Sequence, residues 1–99
     1  VRLIEKGGDG LISVVANAYP AYVAEMVDAA LRRDASRANG LWNGIAELVK
    51  ALFAEGNPTG IKAALSLCGV AGNHLRLPLV ASSPELTDRI RGLAAAAGL

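Results

Sequence analysis

The stretch Gly10-Leu11-Ile12-Ser13-Val14-Val15-Ala16 decides how the chain is interpreted, because it is a short apolar run with β-branched residues. Such a run predicts a strand buried on both faces, which is typical of a parallel sheet. A parallel strand needs neighbours. The only other candidate strand is Leu75 to Val80, and it contains Pro78, which cannot donate a hydrogen bond to a β-ladder. Leu11 to Ala16 therefore either pairs with sequence outside these 99 residues or folds differently here.

The rest of the chain is predicted to be helical. Arg2 to Lys6 has the form of a helix end that is stopped by Gly7-Gly8. Apolar residues at helical spacing predict four further helices after Asn17. Their boundary signals are Pro20 in a first turn, Asp34 as a cap, a break at Gly56-Asn57-Pro58, a helix from Thr59 to Leu67 with Gly69 as its C-cap, the capping-box spacing of Ser82 and Glu85, and Gly98 as the last stop.

Composition and charge narrow the class of protein. Hydrophobic residues make up 53% of the chain but aromatic ones only 4%, an apolar excess expected of a segment that packs against something outside itself. An ordinary alanine-rich helical bundle is the alternative. The net charge of +1 without a run of like charges predicts neither a nucleic-acid nor a membrane partner. A single cysteine and the lack of a secretory pattern favour a cytoplasmic location, and a start at Val1 leads us to expect further sequence upstream.

Most chemistry-bearing residues are predicted to be structural. The cluster Gly7 to Gly10 follows a helix and precedes the apolar run, which is the reverse of a phosphate-binding loop, so we expect a tight turn. His74 has no ligand partner at metal-binding spacing and is expected in a loop. Cys68 is expected to be a small core residue. No metal site and no cofactor are predicted.

The corner after the apolar run is the best candidate for a binding site. In parallel α/β barrels the functional face lies at the carboxyl ends of the strands, which makes Ser13, Asn17 and Tyr19 the residues best placed to touch a ligand. The alternative is that Ser13 is a small core residue and Asn17 caps the following helix. None of the three lysines lies in a buried strand, so the chain offers no convincing Schiff-base nucleophile, and no catalytic residue is assigned.

Three motifs resemble a known family of lyases. Gly8 to Asn17 is similar to the last barrel strand of the 4-hydroxy-tetrahydrodipicolinate synthase family, a strand shared with sister lyases such as N-acetylneuraminate lyase. Leu52 to Pro58, followed by Thr59 to Lys62, resembles the break between two helices of that family's extension, and Leu75 to Leu79 resembles its connector. The resemblance covers essentially the whole chain in the family's order. Gly56 and Gly60 depart from it, because the family often has proline there.

The resemblance implies a fold and an activity. The chain would be an α/β segment, the C-terminal part of a (β/α)₈ TIM barrel, with the last β/α unit at residues 1–33 and a helical extension at residues 34–99. The family condenses pyruvate with aspartate 4-semialdehyde in lysine and diaminopimelate biosynthesis, through a Schiff base on a lysine and a proton-relaying tyrosine. Both residues would lie upstream of Val1, so the 99 residues alone would be inactive. Ile12 would contact pyruvate, with Ser13 and Asn17 beside the pocket, and the full chain would form a homotetramer.

Two other functions are also compatible with the sequence. The chain could be a small helical module that forms homo-oligomers through its apolar faces without catalysis. It could also be a regulatory subunit that assembles with a complete enzyme. The conformation of Leu11 to Ala16 separates the lyase segment from the module, since the lyase interpretation requires an extended, paired strand with Ile12 facing inward.

Overall fold

Five helices and one short 3₁₀ turn make up the ordered secondary structure of the chain. The computed structural model describes all residues from 1 to 99. The helices are α1 (Arg2–Glu5), α2 (Pro20–Leu31), α3 (Ala35–Phe53), α4 (Thr59–Leu67) and α5 (Pro84–Ala96), and the 3₁₀ turn is Val15–Asn17. None of these helices combines the length and the apolar character that crossing a membrane requires.

The predicted α/β fold is wrong for this chain, because Leu11 to Ala16 forms no strand. A strand is held by backbone hydrogen bonds to a neighbouring strand, and no backbone N–H of residues 9–14 donates to another backbone group. Leu75 to Val80 is an irregular connector and offers no ladder either. Val14 instead adopts helical angles, with φ −62° and ψ −42°, and begins the turn that carries Val15 into the core. The apolar run therefore marks a buried anchor and an exposed segment rather than a sheet.

The four main helices form where the sequence predicted them, and most of their boundary signals are confirmed. The Asp34 carboxylate accepts a hydrogen bond of 3.0 Å from the backbone N–H of Arg37, which makes Asp34 the N-cap of α3. Gly69 follows the end of α4 at a φ of +71°, a conformation that glycine adopts without strain. The cap of α5 differs from the prediction. Ser83 rather than Ser82 caps that helix, because its hydroxyl accepts from the backbone N–H of Leu86.

Helix α3 forms the centre of the core and packs against α2, α4 and α5. The largest fully buried side chains are Ile45, Leu48, Leu52 and Ile90. Burying one such side chain contributes about 1.5–3 kcal/mol to folding. The same cluster takes in Val15, Tyr19, Val23 and Met26 from the first third of the chain. One core therefore draws on both sides of the boundary predicted at Arg33 and Asp34, and that boundary stays a prediction.

A polar link holds the connector between α4 and α5 against the end of α3. The Glu55 carboxylate accepts from the backbone N–H of Ser83 at 2.9 Å and also from the Ser83 hydroxyl. These hydrogen bonds hold the pKa of Glu55 below its usual value, since they favour the ionised form. The Thr59 hydroxyl, at the start of α4, reaches the carbonyl of Val80 at 3.4 Å. The start of α5 is thus fixed relative to α3 and α4 by side chains as well as by the core.

Candidate functional site

The candidate site is the corner formed by residues 11–19, between the glycine turn and α2. Val15 and Tyr19 are buried at its base and belong to the main core. Ser13 is half-buried and Asn17 is exposed. Ile12 is fully exposed, at 103% of its reference area. The corner therefore presents Ile12 outward from a base that the core holds in place.

The polar side chains of the corner form short-range hydrogen bonds with the backbone. The Ser13 Oγ accepts from the backbone N–H of Ala16 at 3.3 Å. The Asn17 side-chain amide donates to the carbonyl of Val14 at 3.0 Å, and the Asn17 backbone N–H donates to the same carbonyl at 3.1 Å. Asn17 does not cap α2, because the residue at the N-cap is Tyr19 and no side chain bonds to that end. The structure thus brings Ser13 and Asn17 together around one turn of backbone.

Tyr19 lies beneath the corner rather than on its surface. Its side chain is buried, so Tyr19 is not placed to touch a ligand above the corner. Burial raises the pKa of the Tyr19 phenol to about 12, with a smaller contribution from the neighbouring Cys68 thiol at the end of α4. At neutral pH the phenol is therefore protonated. Tyr19 connects the corner with α4 and acts as an anchor.

A shallow apolar groove of about 260 Å³ runs between the corner and α3. Its walls combine corner residues with side chains of α2 and α3, and the lining residues with large exposed surfaces are Leu11 (51%), Ile12 (103%), Trp42 (39%) and Phe53 (46%). This groove was not predicted from the sequence. The available signal was the spacing of Trp42, Val49 and Phe53, which places them on one side of a helix beside the buried stripe.

The ionisable residues do not gather around this corner into an obvious catalytic set. Lys6 and Lys50 are exposed to water, and Lys62 is half-buried on α4. The chain contains no group of three or more His, Cys, Asp or Glu side chains that could hold a metal ion. Cys68 is exposed, so its predicted place in the core is wrong, because it lies just beyond the last turn of α4. His74 lies in the connector, and its prediction as a loop residue is confirmed.

A second, more polar cleft of about 400 Å³ lies on another part of the surface. It is formed where the glycine turn after α1 meets the turn between α2 and α3. Glu5, Asp9 and Arg33 bring charges of both signs to its rim. Gly7, at a φ of +101°, supplies the tight turn that the sequence predicted in place of a phosphate loop.

Sequence comparison matches almost the whole chain to one protein family. The profile of the Dihydrodipicolinate synthetase family matches residues 1–97. The 4-hydroxy-tetrahydrodipicolinate synthase of Methanosarcina mazei is 44% identical over 95 residues, which cover 92% of this chain and 33% of that protein. The synthase of Thermotoga neapolitana is 39% identical over 98% of this chain and 33% of its own length. The chain thus spans about a third of the length of these curated relatives.

Solved structures agree with the sequence comparison. Dihydrodipicolinate synthase from Thermotoga maritima superposes with a TM-score of 0.92 at 37% identity, over 98% of this chain and 33% of that one. The chloride-inhibited enzyme from Acinetobacter baumannii, solved in complex with pyruvate, gives a TM-score of 0.91 at 36% identity, over 98% of this chain and 33% of that one. The arrangement of the helices and the corner is therefore that of the corresponding third of these proteins. The chain belongs to the Dihydrodipicolinate synthetase family.

Proposed function

We propose that this chain is one segment of a Schiff-base-forming lyase that condenses pyruvate with aspartate 4-semialdehyde to 4-hydroxy-tetrahydrodipicolinate. The observation that carries the proposal is the family match over residues 1–97, together with 44% identity to a relative that bears the synthase name. A relative that superposes on 98% of the chain was solved with pyruvate. The setting is lysine biosynthesis in the cytoplasm, and the complete enzyme is a homotetramer.

Within that function the corner is the chain's contribution to the pyruvate site. Ile12 supplies an apolar surface, and Ser13 and Asn17 lie next to it. What supports this assignment is the exposure of Ile12, since an apolar side chain without neighbours is available to line a pocket that other residues complete. Residues 1–33 would carry the site, and residues 34–99 would form the helical extension that supports it.

The chemistry itself is assigned to residues outside this chain. A lysine that forms a Schiff base must be desolvated to be neutral and nucleophilic, whereas Lys6 and Lys50 face water and Lys62 is only half-buried on α4. The Tyr19 phenol is protonated at neutral pH and is buried under the corner. We therefore expect the nucleophilic lysine and the proton-relaying tyrosine in the part of the lyase that this chain does not match.

A chimera tests the proposal directly. The 99 residues would replace the matching third of the Methanosarcina mazei synthase, and the condensation of pyruvate with aspartate semialdehyde would be measured. The proposal expects an active chimera and no turnover by the purified 99-residue chain. Turnover by the 99 residues alone, or a folded chimera that neither binds pyruvate nor condenses it, would contradict the proposal.

The exposed apolar groove favours a second candidate, a homo-oligomeric interaction module without catalysis. Leu11, Trp42 and Phe53 present surface that would gain from association. Light scattering on the purified chain separates the two candidates. A discrete dimer or tetramer that Trp42→Glu dissociates, combined with an inactive chimera, would favour the module over the lyase segment.

A further inference from the structure

We draw no further inference here: the strongest candidate, the cleft of about 400 Å³ between the turn after α1 and the turn between α2 and α3, carries Glu5, Asp9 and Arg33 on its rim, whose mixed charges single out no class of ligand, and nothing in the structure shows what covers this cleft in proteins of the relatives' full length.

Discussion

Replacing Gly60 with alanine tests the closest approach between two helices of this fold. Gly60 lies in the first turn of α4, against the end of α3. A Cβ at this position would lie 2.0 Å from the carbonyl oxygen of Leu52 and 2.6 Å from its carbonyl carbon. Non-bonded heavy atoms are attracted at about 3.5–4.0 Å. The backbones would therefore have to separate by more than about 1 Å, since a carbonyl in a helix cannot rotate away.

The expected loss of stability follows from what that separation disturbs. Leu52 and Ile61 are buried at the same contact, so moving α4 opens gaps beside both side chains. Overpacking of a well-filled core typically costs about 1–3 kcal/mol, and a clash with backbone belongs at or above the upper end. Alanine offsets up to about 1 kcal/mol of this loss, because its helix propensity is higher than that of glycine. We expect Gly60→Ala to lower the free energy of unfolding by a net ~2 kcal/mol.

Urea unfolding followed by circular dichroism measures this change, and Gly92 provides the control. Gly92 lies in α5, and a Cβ there would meet nothing within 4 Å. Gly92→Ala should therefore stabilise the chain by about 0.5–1 kcal/mol, through helix propensity alone. If Gly60→Ala were as stable as Gly92→Ala, the close packing of α4 on α3 would be refuted. A midpoint change without a change in slope keeps the comparison valid.

Three further changes probe the polar contacts of the fold. Tyr22→Phe removes a hydrogen bond of 2.8 Å from the phenol to the carbonyl of Leu41. It should cost about 0.5–1.5 kcal/mol in urea unfolding, and no loss would show that this bond contributes nothing. Asp34→Ala removes the cap of α3 and should cost about 1 kcal/mol, whereas Asp34→Asn should cost little. Glu55 has a pKa that its bonds to Ser83 lower in the folded state, so its stabilisation is present above the unfolded pKa and is lost as the pH falls through the folded value. Glu55→Gln should therefore be less stable than the parent chain at pH 7 but similar at pH 3, and a constant difference would contradict the link.

The helices could be predicted from the sequence because their signals are local. Asp34 caps α3 through the N–H of a residue three positions along, and Gly69 ends α4 through its own backbone angles. Neither depends on distant sequence. Ser82 was predicted as the cap of α5 because Glu85 lies at capping-box spacing from it, although the neighbouring Ser83 has an equally suitable side chain. Tertiary contacts decide between them, since Ser82 is buried and bonds to Thr87, while Glu55 engages Ser83.

The strand failed as a prediction because hydrophobic pattern specifies burial and not the partner. The pattern required the whole run to be buried, but only Val15 is fully buried, Leu11 and Ile12 are exposed, and the backbone around them has no ladder to join. Cys68 failed for a related reason. Its spacing continued the apolar side of α4, yet it lies just past the last turn, where the chain turns outward at Gly69. In both cases the sequence shows an apolar residue, but it does not show which groups surround that residue in the fold.

For the candidate site too, the sequence identified the residues but not the contacts that their side chains make. The sequence placed Ser13 and Asn17 beside Ile12, and the structure keeps all three in one corner. A sequence gives donors and acceptors, but only coordinates show that these are used within three residues of their origin. In this structure Ser13 and Asn17 bond to the corner's own backbone, and their place beside a substrate stays a prediction.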